Sequence, residues 1–292
     1  MGYKLFFRAT DGEISLNMFQ NYFSKYPHFT VTGPEASYKN ENTGARFVFQ
    51  YLHTNGEGNI NVRPEGTYRI ALNVEYCVPS FFVTEALLEV EALINETQVV
   101  FYDPQQDGSG TKTFDGDRVF DCWLFHNEKA IRHLASQEKW QENDKILVSY
   151  DWMQKIWNWN YSIPVIQHHL GQGIQVPTMI LLYDGKFAKS GFVWEGGQSV
   201  VIPDVDIVMI ARNDGDKTDL CAVEYEAIEV FVQKYQTHKE GSTCVISYDT
   251  VPEDIKRFIA NLEPNQTYSK LSMNDIFEEE IVEDALFPNG RS

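Results

Sequence analysis

Apolar and polar residues in the first half of the chain alternate in short blocks that predict strands separated by helices. Ser15 is placed to cap a helix that continues to about Lys25, and Pro27 ends it. Alternation at Arg46–Leu52 and at Thr67–Glu75 predicts strands with one face towards a core. Further elements are predicted as strands at Lys4–Arg8, Phe29–Thr32, Ala36–Tyr38 and Val99–Tyr102, and as a helix at Phe82–Ile94.

The order strand, helix, strand between Thr67 and Tyr102 fits a β-α-β unit with a right-handed crossover. Beyond it, a polar loop that contains glycine leads into a helix-like segment. That segment carries Trp123, His126 and Asn127. The end of the Val99–Tyr102 strand is therefore the first place at which we expect a functional site.

The second half of the chain contains the clearest hairpin, formed by Val176–Tyr183 and Lys186–Trp194 with Asp184-Gly185 as its turn. Trp152–Leu170 is predicted to be helical, with a kink or a break at Pro164. Other elements are predicted as strands at Ile146–Tyr150, Asp206–Arg212, Cys221–Tyr225 and Cys244–Ser247, and as helices at Ala227–Tyr235 and Pro252–Leu262.

These elements predict an α+β, mixed α/β fold with two halves, each built on a mixed, largely antiparallel sheet flanked by helices. The charged stretch Gln137–Asp144 is the candidate boundary. It divides the chain into an N-terminal α/β domain at 1–136 and a C-terminal α/β domain at 145–292 that includes an acidic tail. Asn213–Asp219 is expected to be an acidic loop, and Met273–Leu286 an amphipathic helix.

Composition narrows the class of partner. The 24 basic and 42 acidic residues give a formal net charge of −18, which repels nucleic acid and anionic membranes and attracts basic proteins, besides favouring solubility. The four cysteines are widely spaced and predict no disulfide framework, which fits a reducing cytoplasm. No segment of the sequence is typical of a signal peptide or a membrane span. The sequence assigns no oligomeric state.

Motifs for cofactors and metals are incomplete. Asp107–Thr113 resembles a phosphate-binding loop, but Thr111 separates Gly110 from Lys112 and Gln105 stands where the first glycine is required. Starting from Asp214, the loop before Asp219 lacks the central glycine and closing glutamate of a calcium-binding EF-hand. The adjacent His168 and His169 point in different directions on a helix, so they do not predict a shared metal. No cofactor or metal is expected.

Candidate catalytic groups are also weak. Cys122 has His126 one helical turn away, but its apolar neighbours indicate a buried and unreactive thiol. Asp103 at one strand end, and Asp204 and Asp206 at another, are carboxylates that could exchange protons or, equally, hold turns. One hypothesis is therefore a hydrolase-like enzyme with a site near Asp103, His126 and Asn127.

Several phrases of the sequence stand out together. They are Tyr38–Gly44 followed by Arg46–Phe49, Phe101–Gln105, Trp123 with Asn127 and Ala130, Val176-Pro177, Trp194, and Ile202–Asp206 leading to Ala211-Arg212. These phrases resemble a family of bacterial cytosolic proteins that has no assigned enzymatic activity. The resemblance spans roughly residues 1–212, leaves the acidic remainder uncovered and supplies no catalytic residues. Acidic proteins of this kind are similar to immunity proteins of polymorphic or contact-delivered bacterial toxins.

The resemblance and the net charge lead to a first hypothesis of a non-enzymatic immunity protein in the cytoplasm. It would bind a basic partner, a cognate toxin such as a nuclease or nucleotide-dependent effector, and occlude its basic cleft. A generic protein-interaction scaffold is the third hypothesis. The candidate partner-binding residues are Asp103, Asp107, Asp115, Asp117, Trp123, Asp214, Asp216 and Asp219.

Overall fold

A computed structural model of the chain describes residues 2–53, 68–106, 113–137, 146–214, 217–240 and 243–286. The chain forms two compact units. Unit 1 comprises Met1–Tyr150 and Ile276–Ser292, and unit 2 comprises Asp151–Asp275. In sequence, unit 2 is therefore inserted between two segments of unit 1. Both units combine helices with β-sheets, which confirms the predicted α+β class.

The described residues contain seven α-helices, one short 3-10 helix and sixteen strands. The helices are α1 (Leu16–Phe23), α2 (Phe81–Thr97), α3 (Gly116–Ala135), α4 (Tyr150–Leu170), α5 (Glu226–Tyr235), α6 (Glu253–Ala260) and α7 (Glu279–Leu286), and the 3-10 helix is Met273–Asp275. The strands are β1 (Gly2–Ala9), β2 (Phe29–Thr32), β3 (Glu35–Lys39), β4 (Arg46–Tyr51), β5 (Ile70–Glu75), β6 (Val99–Tyr102), β7 (Ile146–Val148), β8 (Ile180–Tyr183), β9 (Ala188–Glu195), β10 (Val200–Ile202), β11 (Ile207–Asp214), β12 (Lys217–Glu224), β13 (Gln236–Glu240), β14 (Thr243–Ile246), β15 (Ser269–Lys270) and β16 (Ile276–Glu278).

The main sheet of unit 1 has six strands in the order β2-β3-β4-β5-β1-β6, and every neighbouring pair is antiparallel. Alternation in β4 buries Phe47 and Phe49 against the core, as predicted. The predicted cap is confirmed, because the Ser15 hydroxyl accepts a hydrogen bond from the Met18 N–H at 3.2 Å. Local sequence signals therefore place these elements correctly.

The predicted β-α-β unit differs from the structure in one respect. Strands β5 and β6 are both antiparallel to β1, so they are parallel to each other, but β1 lies between them. The connection through α2 is thus a split β-α-β unit. Sequence order alone cannot indicate that the first strand of the chain inserts between two later ones.

The C-terminal segment of the described chain packs on unit 1. Strand β16 pairs in parallel with β7, with Ile276 opposite Ile146, and α7 packs against α3. The predicted amphipathic helix at Met273–Leu286 is therefore corrected to a 3-10 turn, a strand and a short helix. The predicted division at 1–136 and 145–292 differs from the units at this segment, because Phe277, Ile281 and Val282 share an apolar cluster with Ile131.

Unit 2 contains a five-stranded sheet, β12-β11-β9-β8-β15, and a three-stranded sheet, β10-β14-β13. The predicted hairpin is confirmed: β8 and β9 pair in antiparallel orientation, the Asp184 carboxylate accepts from the N–H groups of Lys186 and Phe187, and Gly185 has φ +91°. The helix predicted at Trp152–Leu170 is confirmed as part of α4. This helix continues through Pro164, so the alternative of two separate helices is wrong.

The acidic loop expected at Asn213–Asp219 is mostly strand. Strand β11 continues to Asp214, β12 begins at Lys217, and these two residues face each other in register. The remaining two positions lie outside the described residues. A hairpin forms here because both strands carry apolar residues, such as Ile210 opposite Cys221, that hold the register further inside the sheet.

In the described part of the chain, no helix is both long enough and apolar enough to cross a membrane. The four cysteines all lie within the described residues, and none of them forms a disulfide.

Candidate functional site

A groove of about 500 Å³ lies in unit 1 along α2 and the beginning of α3. Helix α3 starts there because Asp115 adopts an extended conformation and its carboxylate accepts a hydrogen bond from the Arg118 N–H at 3.2 Å. Asp117 follows in the first helical turn, where the helix dipole favours a negative charge. Local capping thus places two carboxylates at one rim of the groove.

The floor of the groove is apolar. Leu88 is 41% exposed and Tyr150 is 37% exposed, although both are large side chains that normally gain free energy when they are buried. The described residues that line the groove are Thr84, Leu87, Leu88, Glu91, Phe114, Asp115, Gly116, Asp117, Phe120 and Tyr150. An exposed apolar surface of this kind, surrounded by polar groups, is typical of a binding site.

The rim of the groove is acidic. Glu91, Asp115 and Asp117 are exposed, and no Lys or Arg is among the described lining residues. A further carboxylate lies beside Tyr150, since the Tyr150 N–H donates to Glu280 at 2.8 Å. Several like charges at one apolar groove produce a negative local potential that attracts cationic groups.

The wall formed by α2 is fixed at its N-terminus by a buried carboxylate. Glu278, which is 2% exposed, accepts hydrogen bonds from the Ser80 N–H at 3.1 Å and the Ser80 hydroxyl at 2.6 Å. Burial raises the pKa of Glu278 to about 7, although both bonds to Ser80 oppose that shift. The segment that carries Glu278 thus helps to hold α2 in place beside the groove.

Two of the predicted partner-binding residues are buried. Trp123 is fully buried, and its indole N–H points to the Glu75 carbonyl at 3.4 Å. Asp103 is 4% exposed and accepts hydrogen bonds from the Tyr3 hydroxyl and the Gln105 N–H. Neither side chain is available to a partner, so both are removed from the candidate surface. The apolar run around Trp123 explains its burial, because it lies on the core-facing side of α3.

The remaining predicted acids fall into different parts of the chain. Asp115 and Asp117 line the groove of unit 1. Asp214 and Asp219 belong to strands of unit 2, where the Asp219 carboxylate accepts from Arg212 at 3.3 Å. Two others, Asp107 and Asp216, lie outside the described residues.

The hypothetical hydrolase site is only partly assembled. Tyr3 touches two of its groups: its hydroxyl donates to Asp103, and its ring centre is 6.4 Å from that of His126. Cys122 also lies near the Tyr3 hydroxyl. Burial raises the pKa of the Cys122 thiol and of the Asp103 carboxyl. The reactive thiolate of Cys122 is therefore disfavoured.

The third residue of that hypothesis, Asn127, contacts the turn after β5. Its side-chain oxygen accepts a hydrogen bond from the Cys77 N–H at 2.6 Å, and Cys77 has a left-handed backbone with φ +61°. Asn127 therefore stabilises the turn that follows β5, while its amide nitrogen makes no hydrogen bond. This contact with the backbone of Cys77 is structural.

Within the described residues, no three His, Cys, Asp or Glu side chains form a group suited to a metal ion. His168 and His169 lie in the last turn of α4, and their rings are nearly perpendicular with centres 5.9 Å apart.

Most of the groove was not predicted from the sequence. Leu88, Glu91, Phe120 and Tyr150 were not among the candidate residues, although Leu88 and Glu91 are three residues apart and so share one face of α2. No signal in the sequence marks this surface, because α2 carries apolar residues on more than one side and its sequence does not tell which of them stay exposed.

No family model matches this chain, and neither does any curated protein or solved structure with which it was compared.

Proposed function

We propose that this protein is a non-enzymatic immunity protein of the bacterial cytoplasm, which binds a basic cognate toxin and blocks its active-site cleft. The observation that carries the proposal is the groove of unit 1, where an apolar floor that includes Leu88 and Tyr150 is rimmed by exposed carboxylates. The net charge of −18 extends the same sign to the whole chain.

Electrostatic attraction and apolar contacts contribute separately to the proposed binding. The negative potential accelerates encounter with a positively charged cleft, and this effect weakens as salt screens the charges. Apolar residues at the floor then slow dissociation, because anchors that become fully desolvated carry most of the affinity at protein interfaces. A toxin that acts on nucleic acid or nucleotides needs a basic cleft, which makes it a suitable partner for an acidic groove.

The contacts of Asp103, Cys122 and Asn127 support this proposal over a hydrolase. Each of these groups has a structural partner, and burial raises the pKa of the Cys122 thiol, which disfavours the thiolate that a nucleophile requires.

The test uses co-expression with the product of the adjacent gene and two double variants of equal charge. Glu91→Lys with Asp117→Lys changes the net charge from −18 to −14, because each reversal adds two charges. Glu226→Lys with Glu263→Lys makes the same change at exposed positions of unit 2. Asp117 and Glu226 both occupy the first turn of a helix, so both double variants lose a similar favourable interaction with a helix dipole.

We expect the wild type and the unit 2 variant to rescue growth and to co-purify with the adjacent gene product. The groove variant should lose both properties while its circular dichroism spectrum stays unchanged. An adjacent gene product that is neither toxic nor bound would overturn the toxin assignment. Equal loss in both double variants would show that total charge, rather than the groove, determines binding.

A neutral substitution separates the apolar contribution from the charge. Leu88→Ser removes an exposed apolar group without altering the net charge. The association rate should stay within about twofold of the wild type, while dissociation accelerates by roughly tenfold. A change confined to association would contradict the role of Leu88 as an anchor.

A further inference from the structure

A second cavity, of about 360 Å³, lies in unit 1 and is unrelated to the acidic groove. It opens beside α1, where this helix lies next to the ends of β1 and β6 and the C-terminal turn of α2. Its inner wall consists of core residues, among them Phe19, Phe23, Ile70 and Leu93, each no more than 2% exposed. The cavity therefore reaches into the apolar core of the unit.

The mouth of the cavity has a different character. Thr10, Asp11, Glu13 and Lys25 line it and are exposed. Glu13 is paired with Arg69, whose guanidinium lies 3.3 Å from its carboxylate. The rim thus carries charges of both signs, in contrast to the acidic groove, and selects neither an anion nor a cation. Small-molecule sites commonly combine an apolar interior with a few polar groups at the entrance.

Met18 lies at this mouth and is 58% exposed. Methionine is flexible, and its sulfur makes favourable contacts with aromatic rings. The aromatic wall continues inside, since the rings of Phe19 and Phe23 have centres 4.9 Å apart and the Lys25 ammonium lies 5.8 Å from the centre of the Tyr22 ring. Aromatic ligands gain from such surroundings through offset or edge-to-face ring contacts.

The volume limits the size of the ligand. An apolar cavity of about 150 Å³ holds one benzene ring. A cavity of about 360 Å³ is more than twice as large, which is sufficient for two fused rings. We propose that unit 1 binds an uncharged aromatic molecule of about two fused rings in this cavity, independently of the acidic groove.

The probe is indole, which is uncharged and has two fused rings. The chain contains six methionines, and labelling their methyl groups with ¹³C gives local reporters. Indole should shift the Met18 methyl resonance in a saturable manner. The methyls of Met153, Met179 and Met209, which are buried in unit 2, should not move. Indole-3-acetate, the anionic counterpart, should bind more weakly, because its carboxylate must lose water at a mouth that carries charges of both signs.

Two tryptophan substitutions near the end of α2 provide a blocked variant and its control. Thr97→Trp fills the cavity from its wall, whereas Asn95→Trp adds the same group at an exposed position of α2 that does not line the cavity. We expect Thr97→Trp to weaken indole binding by at least about tenfold and Asn95→Trp to change it by less than about twofold.

Binding that is absent, non-saturable or equal in both tryptophan variants overturns the proposal. A saturable shift in which the unit 2 methionines respond as strongly as Met18 also overturns it, because the site would then lie elsewhere. If Thr97→Trp fails to fold, Met18→Lys places a charge at the mouth and should weaken indole binding without filling the core. Calorimetry provides the measurement for this variant, because it lacks the Met18 methyl group. Loss of the toxin complex in the groove variants leaves these outcomes unaffected.

Discussion

Glu278 and Ser80, which are 198 residues apart in sequence, form a buried pair in which the carboxylate accepts hydrogen bonds from both the N–H and the hydroxyl of the serine. The contact joins β16 to the N-terminus of α2. Because unit 2 lies between them in sequence, this pair and the β7–β16 ladder close unit 1 after the insertion. The raised pKa of the Glu278 carboxyl makes the stability of this contact depend on pH.

The first prediction concerns this pH dependence. The pKa of Glu278 rises from 4.5 to about 7 on folding, so the folded state retains a proton that the unfolded state releases. The stability that the protonated Glu278 contributes is fully present below pH 4.5 and is lost as pH rises through about 7. Between pH 5 and pH 8 the wild type should lose roughly 2–3 kcal/mol of unfolding free energy through this group.

Glu278→Gln is the control, because glutamine keeps the shape and does not ionise. Its unfolding free energy, measured by urea denaturation at both pH values, should fall less between pH 5 and pH 8 than that of the wild type. Equal pH dependence in the two proteins would show that Glu278 does not retain the proton on folding.

A second prediction concerns Tyr3 and Asp103. Tyr3→Phe removes a donor from a buried carboxylate and should cost about 1–3 kcal/mol. Burial raises the pKa of Asp103 and the Tyr3 bond lowers it, so the variant raises the pKa further. The loss should therefore be larger at pH 7.5 than at pH 4, where the protonated acid needs the donor less.

A double-mutant cycle tests this coupling. In an Asp103→Asn background the same Tyr3→Phe substitution should cost less, and its cost should no longer depend on pH. Chemical denaturation at the two pH values provides the measurement. Additive effects of the two substitutions would contradict a direct hydrogen bond.

The third prediction concerns Gln98, which ends α2 with a left-handed backbone at φ +52°. Glycine has no side chain to oppose this conformation. The Gln98→Gly variant should therefore be about 1 kcal/mol more stable than the Gln98→Ala variant. Both variants lose the same polar side chain, so the comparison isolates the effect of the backbone conformation. Thermal unfolding of the two variants decides the matter, and a more stable alanine variant would contradict the backbone argument.

The fourth prediction concerns Gly191 in β9, between β8 and β11. A Cβ atom at this position would approach the Leu182 Cδ1 atom to 2.6 Å and the Ile207 carbonyl oxygen to 2.9 Å. Gly191→Ala should therefore destabilise unit 2 by about 1–3 kcal/mol through overpacking. Gly173→Ala, which meets no atom within 4 Å, is the matched control and should change stability by less than about 0.5 kcal/mol. Comparable losses in both variants, measured by denaturation, would exclude a specific steric effect.

Local chemistry determined much of the secondary structure. Ser15 caps α1 and Asp184-Gly185 closes the β8–β9 hairpin as predicted, because the atoms that form these features lie within a few residues of each other. Alternation in β4 likewise identified the buried face at Phe47 and Phe49. Such signals require no knowledge of the remainder of the chain.

The candidate site was less predictable. The sequence indicated carboxylates at Asp115 and Asp117, and both reach the groove because they begin a helix. It also indicated Trp123 and Asp103, which the core buries. An acidic or aromatic residue has the same identity in a core and on a surface, so only the neighbours that pack against it decide its exposure.

The sequence by itself determined the α+β class, the acidic charge and the local caps and turns of this protein. The tertiary structure decided that β1 separates β5 from β6, that β16 pairs with β7, and that Glu278 meets Ser80. These relationships join residues that are far apart in the chain. Pairing of that kind depends on which apolar faces and unpaired strand edges remain after each element has formed, and this is a property of the folded core.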